Sequence, residues 1–550
     1  MAFDSSAVRQ YFEHHFTYLA GFERNVGRFG DRTAMLDPES GRSWTYRQLA
    51  ADVNRLAGAL AKLGVARGTR VVYALYNGPA FAFCYLATQR LGAVGVPVNY
   101  RLAAGELAHI LRDSAPQVFL HAADLSTTVG AALALAPVPH VVAVGEGAIP
   151  AGALRFDALL AAAGVPPALP EDYSSYEETT RLYTSGTTGM PKGVALPSIV
   201  EVLSAHDVIM HFPLGPFDRT LNMTPWFHRG GLYSGGPNPV FYVGGSVVPM
   251  RSFDAARTLD WVDAYGITFL IGAPTTLEMI AAEQERHPRK LATLKGVVTM
   301  GAPLDRAAAL RYQHLLTPRI FNGYGTTETF WNTFLRPEDL PDHAGSAGRA
   351  CTDDDVQVVR VYADRRAEPG DSVARDGHEP GEVIMRSPKS GFAYVNLPGI
   401  QEEKFHNGWL YPGDIATWDS AGFITILGRK DDMLISGGEN VHPVQVEACL
   451  AECAGVVDSC VVGVRDAHWG QRIVAYVIRR DASVTPEALD AHCKASPDLA
   501  DFKRPRGYRF VDALPMTATG KKMHFKVAEW AAADAANGEF ITPQRTHDGG

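Results

Sequence analysis

The first 300 residues alternate between short apolar runs rich in valine and isoleucine and longer segments with helical periodicity. In the longer segments Thr45–Leu63, Pro79–Leu91 and Ala104–Asp113, apolar residues recur every three or four positions. Alternation of this kind predicts an α/β fold with largely parallel sheets covered by helices. The short runs are Arg70–Tyr76, Val94–Pro97, Gln117–His121, His140–Val144, Ser246–Pro249, Ile267–Gly272 and Gly296–Met300.

The chain of 550 residues is longer than a single hydrophobic core normally serves. From about residue 348 to 426 the helical periodicity fades, and glycine, proline and β-branched residues dominate, which predicts a β-barrel-like subdomain. We therefore expect a large N-terminal domain over 1–428, made of two α/β sheet subdomains and this β subdomain. A charged linker over 429–432, a small α+β domain over 433–538 and a flexible polar tail over 539–550 are expected to follow.

The composition narrows the class of partner. With 51 basic and 60 acidic residues the net charge is −9, which indicates neither nucleic acid nor an anionic membrane as a partner. The six cysteines form no CxxC pair, and the N-terminus has no apolar signal segment, so we expect a cytoplasmic protein with reduced thiols. The uncharged stretches 126–145 and 230–250 contain prolines, and the second also several glycines, so we expect no integral membrane segment.

The segment from Tyr183 to Gly193 is the strongest local motif, with three glycines, four hydroxyl side chains besides Tyr183, and Lys192. Such a loop brings backbone N–H groups, hydroxyls and an ammonium close to a phosphate. A Walker loop and a dinucleotide fingerprint are both excluded by the spacing. A flexible surface loop remains the alternative on composition alone.

Further motifs follow in order: Gly301-Ala302-Pro303-Leu304, Asn322-Gly323-Tyr324-Gly325-Thr326-Thr327-Glu328, the segment ending Gly413-Asp414, Gly428-Arg429-Lys430-Asp431-Asp432 and the segment ending Gly520-Lys521. Together with the loop they resemble the adenylate-forming, AMP-binding superfamily, which includes acyl- and aryl-CoA synthetases, carrier-loading adenylation domains and luciferases. The resemblance extends from about residue 44 to 526, and the segments 435–443 and 501–506 closely resemble the CoA-binding segment of the 4-chlorobenzoate–CoA ligase group.

The resemblance implies an ATP site with Mg²⁺. Tyr324 would stack on adenine, Thr327 would approach the α-phosphate, and Glu328 would bind Mg²⁺ together with Thr187. Asp414 would bind the ribose, with Pro412 replacing the threonine usual in that motif, and Arg429 would touch ribose or phosphate. The other implied ATP-binding residues are Thr184, Ser185, Gly186, Thr188, Gly189, Lys192, Gly301, Ala302, Pro303, Asn322, Gly323, Gly325 and Lys521.

The resemblance also implies catalytic roles for Lys521, Glu328, His228 and Lys192. Asp431 would be the hinge about which a mobile C-terminal domain rotates, carrying Lys521 into the site for the first step only. The acyl pocket would be lined by Trp226, Phe227, His228, Gly231, Met300, Phe330 and Trp331, and this apolar lining favours an aromatic or medium-chain acid over acetate. Arg229 is left open between binding a polar group of the acid and pointing away.

The implied activity is that of an ATP-dependent acid–CoA ligase, which forms acyl-AMP and pyrophosphate and then acyl-CoA and AMP. The alternatives are a free-standing enzyme that loads a carrier-protein phosphopantetheine, and a degenerate ATP-binding scaffold. A homodimer is expected only by analogy with the family. The residues implied to contact CoA are Arg101, Gly437, Gly438, Trp469, Phe502, Arg504 and Arg506.

Overall fold

The computed structural model describes residues 4–162, 164–184, 190–362, 364–430, 432–436, 439–466, 469–496, 499, 501–516 and 522–543. The first part contains, in chain order, α1 (Ser6–His14), α2 (Tyr18–Phe29), β1 (Thr33–Asp37), β2 (Arg42–Thr45), α3 (Tyr46–Lys62), β3 (Arg70–Ala74), α4 (Pro79–Arg90), β4 (Val94–Pro97), α5 (Ala104–Ser114), β5 (Val118–Ala122), α6 (Ser126–Leu135), β6 (His140–Val144), β7 (Leu154–Arg155), α7 (Phe156–Ala161), β8 (Glu178–Thr184) and β9 (Lys192–Pro197).

The strands β3 to β9 form the first sheet, in the order β7-β6-β5-β3-β4-β8-β9. Its neighbours are parallel except for β8 and β9. The predicted alternation of strands and helices is confirmed here. Helix α3 begins where predicted because Thr45 and Gln48 form a capping box, each side chain bonding the other's backbone N–H.

The second sheet has the order β16-β15-β14-β13-β12-β10-β11-β1-β2 and is parallel from β14 to β1. One apolar cluster contains buried side chains of both sheets, such as Leu120 and Phe269, together with side chains of α3 and α4. The two α/β subdomains thus share a core. The elements of this part are α8 (Ser198–His211), β10 (Arg219–Asn222), α9 (Arg229–Tyr233), α10 (Pro237–Val243), β11 (Ser246–Val247), α11 (Ala255–Tyr265), β12 (Phe269–Gly272), α12 (Pro274–Arg286), β13 (Gly296–Met300), α13 (Arg306–Leu315), β14 (Ile320–Thr326), β15 (Phe330–Leu335) and β16 (Arg349–Ala350).

The next part of the chain forms a third, antiparallel sheet in the order β19-β20-β18-β21-β22, with β17 paired to β18. The predicted β subdomain is confirmed, but within the described residues this order does not return on itself, so the sheet is open rather than a closed barrel. Its elements are β17 (Asp355–Val359), β18 (Gly381–Arg386), α14 (Pro398–Lys404), β19 (Phe405–His406), β20 (Trp409–Leu410), β21 (Asp414–Trp418) and β22 (Ile424–Arg429).

A small α+β domain follows, as predicted, around the long antiparallel pair β25 and β26. At the start of the predicted tail, Ile541 and Tyr508 exchange both backbone hydrogen bonds at 2.9 Å, which attaches this part of the tail to the domain. The elements are β23 (Leu434–Ser436), β24 (Glu439–Val441), α15 (Pro443–Ala451), β25 (Val456–Asp466), β26 (Gly470–Arg479), α16 (Pro486–Ala495), β27 (Tyr508–Phe510) and α17 (His524–Ala536).

Candidate functional site

Three predicted nucleotide-binding side chains meet at Asp414, the first residue of β21. Asp414 lies directly opposite Arg429 in the β21–β22 ladder, and Arg429 Nη1 donates to Asp414 Oδ1 at 3.0 Å. The Tyr324 hydroxyl, from the second sheet, donates to Asp414 Oδ2 at 2.7 Å. Burial and the Asp414 carboxylate raise the pKa of Tyr324 well above its usual value, so this hydroxyl remains a donor. Motifs that are far apart in the sequence are therefore joined at one point.

Thr327 and Glu328 lie in the tight turn that joins the antiparallel strands β14 and β15. The turn is closely packed: a Cβ added to Gly325 would lie 1.6 Å from the Phe330 carbonyl oxygen, so only glycine fits. Phe330 has φ of 62°, a backbone conformation that a buried aromatic residue rarely adopts. Strain of this kind is often found beside functional groups.

Tyr394, which the sequence interpretation missed, connects this turn with the predicted phosphate loop. The Tyr394 hydroxyl donates to Glu328 Oε1 at 2.5 Å. The backbone of 393–395 pairs with β9, where Val395 N donates to Gly193 O at 2.8 Å. Burial and the Glu328 carboxylate raise the pKa of Tyr394, which keeps its hydroxyl protonated.

The predicted phosphate loop joins β8 to β9. Thr184 ends β8, Lys192 begins β9, and the two residues are paired across the ladder. The loop residues Ser185, Gly186, Thr187, Thr188 and Gly189 lie outside the described residues. The structure therefore joins the Lys192 end of the loop to Tyr394, because the strand that Lys192 begins pairs with Tyr394 through Val194.

Glu328 fits the preference of Mg²⁺ for oxygen ligands. Mg²⁺ in ATP sites commonly takes one or two carboxylates and leaves the remaining positions to phosphate oxygens and water. Glu328 supplies one carboxylate, its described hydrogen-bond partner is a neutral phenol, and it lies in a turn between two threonines, Thr327 and Thr329. Thr187, the second predicted ligand, is outside the described residues.

Three of the seven predicted acyl-pocket residues, Met300, Phe330 and Trp331, lie in β13 and β15. Met300 ends β13 and is paired with Gly323, and Phe330 stacks on Trp331 with ring centroids 4.9 Å apart. A Cβ on Gly323 would lie 2.7 Å from Trp331 Nε1, so glycine makes room for the indole. The adenine-pocket segment Gly301, Ala302 and Pro303 follows β13, and Gly301 has φ of 89°.

The other predicted acyl-pocket residues lie in the segment between β10 and α9. His228 directly precedes α9, and Phe227 packs edge-on against Tyr100. Gly231 has no room for a side chain, since an added Cβ would lie 1.9 Å from the Pro225 carbonyl oxygen. Trp226 is only 1 % exposed and packs against Phe81, which places it in the core rather than on an open surface.

Arg229 is buried, only 4 % exposed, and its side chain is occupied by the protein itself. Its guanidinium donates to the Thr327 carbonyl oxygen, to Lys389 O at 2.8 Å and to Ser204 Oγ at 3.1 Å. Burial lowers the pKa of Arg229, and nearby carboxylates, including Glu328, oppose that effect. The structure thus favours the alternative in which Arg229 points away from the acid.

The predicted CoA residues lie in two parts of the molecule. Arg101 lines a cavity of about 650 Å³ together with Tyr76, Thr224 and Arg251, which follow strands of both parallel sheets. Ligand sites in α/β proteins commonly lie at these carboxyl ends of strands. Arg251 pairs with Asp124 at 2.5 Å in the same region.

In the C-terminal domain Trp469 and Phe502 are partly exposed, at 38 % and 36 %. Arg504 forms ion pairs with Asp490 and, at 2.7 Å, with Asp501. Arg506 donates to Asp501 O at 3.1 Å. To bind a phosphate, Arg504 would have to exchange a carboxylate partner. Gly437 and Gly438 lie outside the described residues.

Two groups of charged side chains lie beside Arg229 and, in the sequence, beside Lys521; the first is buried and the second is partly exposed. In the first, the large-domain cluster of Asp207, Asp354 and Lys389, Lys389 Nζ lies 3.0 Å from Asp207 and 2.7 Å from Asp354. Burial raises the pKa of Asp354 to about 6, although Lys389 opposes the shift. The backbone carbonyl of Lys389 is the group that Arg229 binds.

The second is the C-terminal cluster of Glu447, Asp458, Lys522 and His524. Lys522 Nζ lies 3.0 Å from Glu447 and 2.9 Å from Asp458, and His524 Nε2 lies 2.7 Å from Glu447. Burial would raise the pKa of Glu447, but the two cations outweigh it and lower the pKa to about 2. Lys521 and Asp431 lie outside the described residues.

The fold and the site define the class of protein: a nucleotide-binding enzyme whose large domain joins an aromatic ring, a carboxylate and an arginine, followed by a small separate domain. The chain belongs to the AMP-binding enzyme family: residues 22–394 match that family, and residues 445–521 match the AMP-binding enzyme C-terminal domain. The family resemblance inferred from the motifs is confirmed.

Individual relatives agree with this assignment. The chain is 34 % identical to an indoleacetate–CoA ligase of Aromatoleum aromaticum, over 91 % of this chain and 95 % of the relative. It is 31 % identical to a 4-chlorobenzoate–CoA ligase of an Arthrobacter species, over 92 % and 93 %. Among solved structures, an anthranilate CoA ligase in complex with anthranoyl-AMP is similar with a TM-score of 0.86 and 27 % identity, over 95 % of this chain and 98 % of that one.

The structure of this chain also bears on the prediction that it has no integral membrane segment. Among the described residues, no helix combines the length and the apolar character that a membrane crossing needs.

Proposed function

We propose that the protein is an ATP-dependent ligase that joins an aromatic carboxylic acid to coenzyme A through an acyl-AMP intermediate. The observation that carries the proposal is the junction of Tyr324, Asp414 and Arg429. It unites an aromatic ring for a base, a carboxylate for ribose hydroxyls and a cation for phosphate. Family membership and the matches to three aryl-acid ligases support the same activity.

In the first step a carboxylate oxygen of the acid attacks the α-phosphorus of ATP. The bond between the α-phosphorus and its bridging oxygen breaks, and pyrophosphate leaves with the bond electrons. Because two anions meet, the protein must supply positive charge and orientation. We propose that Lys192 and the loop over 184–189 orient the phosphates, while Lys521 stabilises the charge that develops on the α-phosphate. Mg²⁺ on Glu328 would neutralise phosphate charge.

In the second step the CoA sulfur attacks the acyl carbon, the bond between that carbon and the phosphate oxygen of AMP breaks, and AMP leaves with the bond electrons while the thiol proton passes to solvent. We propose that the domain over 433–538 rotates about the linker 429–432, with Asp431 as the hinge, between the two steps. Such lid movements commonly separate successive steps in enzymes. Arg101, Trp469, Phe502, Arg504 and Arg506 would then contact CoA from the two domains, with Gly437 and Gly438 beside the thiol arm.

The proposed acid is aromatic because several of the residues predicted to line the acyl pocket are aromatic. Phe330 and Trp331 are stacked on each other. Phe227 and Met300, which belong to earlier motifs, are also buried. Flat rings pack favourably on such surfaces. The relatives named above act on indoleacetate, 4-chlorobenzoate and anthranilate. His228 is proposed to act at the acyl carboxylate.

The proposal is tested by incubating the protein with ATP, Mg²⁺ and a panel of aromatic, alicyclic and C2–C16 acids, with and without CoA. Mass spectrometry would measure AMP, pyrophosphate and acyl-CoA. We expect acid-dependent AMP together with an aryl-CoA thioester. Acyl-AMP without a thioester would move the acceptor to a carrier protein, as in the fatty acid–acyl-carrier-protein ligase that is 31 % identical to this chain. ATP binding without acid-dependent pyrophosphate would instead indicate a degenerate scaffold.

We also propose a cytoplasmic location and a homodimer. The location is supported by the six cysteines, all of which are free thiols. The homodimer rests on analogy with the family, and light scattering of the purified protein would decide it.

A further inference from the structure

Arg229 lies in the segment that the sequence predicts to line the acyl pocket. Its hydrogen bonds, however, reach the proposed ATP site. It follows His228 and begins α9. Its guanidinium binds three groups from three separate parts of the chain: Ser204 on α8, the Thr327 carbonyl in the β14–β15 turn, and the Lys389 carbonyl. The arginine therefore ties that turn to the body of the protein.

The turn that Arg229 binds is the one that presents Glu328. Thr327 precedes Glu328, so a hydrogen bond to the Thr327 carbonyl restrains the peptide plane from which the Glu328 side chain projects. On the other side the Glu328 carboxylate accepts the Tyr394 hydroxyl. Groups that orient a metal ligand in this way commonly affect metal affinity strongly, although they do not touch the metal.

The surroundings of Arg229 hold its side chain in one place. The guanidinium carbon lies 5.2 Å from the Tyr233 ring centroid and 5.4 Å from that of Phe330. A planar guanidinium packs between rings and donates to several acceptors at once, whereas an ammonium does neither equally well. The Lys389 side chain in turn is fixed between Asp207 and Asp354.

We propose that Arg229 is a positioning residue for the Mg²⁺-ATP site, which fixes the Thr327–Glu328 turn and does not bind the acid. The inference rests on the proposed function insofar as Glu328 is the Mg²⁺ ligand. It assigns a role to a residue in the acyl-pocket segment that is independent of which acid the enzyme uses.

The test is calorimetric titration of ATP into the protein in Mg²⁺ and, separately, in EDTA. Arg229→Lys keeps the charge but loses the planar fork, and we expect it to weaken binding in Mg²⁺ by about 10–100-fold while binding in EDTA stays unchanged. The matched control is Arg70→Lys, because the Arg70 guanidinium also donates to backbone carbonyls, those of Ser114 and Ala115. Arg70 begins β3, at the end of the strand away from the cavity. The control should leave both titrations unchanged.

A second readout separates positioning from acid recognition. Across the acid panel, Arg229→Lys should slow pyrophosphate release for every acid by a similar factor and raise the Mg²⁺ concentration needed for half-maximal rate. Thioester formation from supplied acyl-AMP and CoA should stay close to the wild-type rate. A loss confined to acids with a second carboxylate, or unchanged Mg²⁺ dependence, would overturn the inference.

Folding is checked by thermal unfolding of each variant. If Arg229→Lys does not fold, Ser204→Ala removes one guanidinium acceptor and should weaken Mg²⁺-dependent ATP binding in the same direction, by a smaller factor. Unchanged binding in Ser204→Ala would then count against the inference. Wild-type protein that binds Mg²⁺-ATP but turns over no acid would contradict only the proposed ligase activity, whereas wild-type protein with no Mg²⁺-dependent binding would contradict both.

Discussion

Both charged clusters combine carboxylates with cations, but they differ in how many cations each buried carboxylate contacts. In the large-domain cluster two carboxylates, Asp207 and Asp354, share the single ammonium of Lys389. In the C-terminal cluster Glu447 receives two cations, from Lys522 and His524. Burial penalises every charge, so the number of counter-charges decides which effect wins. Accordingly the pKa of Asp354 is raised to about 6, and that of Glu447 is lowered to about 2.

Each cluster lies next to a different half of the proposed machinery. The Lys389 backbone accepts from Arg229, which holds the turn with Glu328. Lys522 immediately follows Lys521 in the sequence. In each domain a lysine thus bridges two carboxylates, Lys389 in the large domain and Lys522 in the C-terminal domain.

The largest effect on stability is expected from Lys389→Met. Without the ammonium, two buried carboxylates face each other with no cation between them, and breaking such an arrangement typically costs about 3–5 kcal/mol. The free energy of unfolding, measured by urea denaturation, should fall by that amount. Lys522→Met is the matched variant, and its loss should be smaller because His524 still pairs with Glu447. Equal losses would contradict the comparison.

Lys521→Ala and Lys522→Ala should separate chemistry from anchoring. Removing one transition-state donor typically costs about 10²–10³-fold in rate, so Lys521→Ala should slow acyl-AMP formation by that factor with little change in thermal stability. Lys522→Ala should lower the unfolding temperature and slow the same step less. Rates come from pyrophosphate release, and thioester formation from supplied acyl-AMP serves as the control. If Lys522→Ala proved the slower enzyme, the assignment of the catalytic lysine would be wrong.

His524→Gln tests the second cation of the C-terminal cluster. Hydrogen bonds to charged groups typically contribute about 1.5–3 kcal/mol, and the glutamine amide can replace part of this one. We expect the free energy of unfolding to fall by no more than that range, while ATP binding to the large domain is unchanged. A loss of ATP affinity would show that this cluster also supports the nucleotide site.

Much of the fold and of the site was predictable because it depends on local patterns. The strands β4, β6 and β13 have the predicted bounds, since short apolar runs and flanking turns specify them. Tyr324, Asp414 and Arg429 were named from motifs, and they do meet. The third sheet was predicted only as barrel-like, because strand composition does not reveal whether a sheet closes, and the described sheet is open.

The contacts between distant residues were not predictable from a single sequence. Arg229 is 98 residues from Thr327 and 160 from Lys389, and no local pattern links them. Tyr394 has no motif of its own, and only its pairing with β9 brings it to Glu328. An isolated tyrosine in the segment Lys389-Ser390-Gly391-Phe392-Ala393-Tyr394 gives no indication of such a partner. Which polar side chains share a site is therefore decided by the sheet topology.

The smallest expected effect is the pH dependence of stability, which tests the difference between the large-domain cluster and the C-terminal cluster most directly. Raising the pKa of Asp354 from 3.8 to about 6 means that the folded state holds the extra proton, so this group makes stability fall as pH rises from about 4 to 6. The stabilisation from Glu447, whose pKa falls from 4.5 to about 2, is complete above 4.5 and is lost as pH falls toward 2. The stabilisation from His524, whose pKa rises from 6.5 to about 11, is complete below pH 6.5 and is lost as pH rises through 11.

Hydrogen exchange followed by mass spectrometry can measure the two clusters separately, through peptides from 200–211 and 443–464. Between pH 4.5 and 6.5 the C-terminal peptides should keep constant protection after correction for the intrinsic exchange rate. In the large domain, Asp354 lowers protection as pH rises, whereas His211, whose pKa burial lowers to about 4, raises protection over the same range. Asp354→Asn should therefore make the protection of the large-domain peptides rise more steeply with pH, and His524→Gln should remove the decline of the C-terminal peptides above pH 6.5. Two carboxylates share one cation in the large-domain cluster, whereas Glu447 has two cations in the C-terminal cluster. Asp354→Asn should therefore change the slope of the large-domain peptides alone; an unchanged slope would mean that the balance of charges does not govern that cluster.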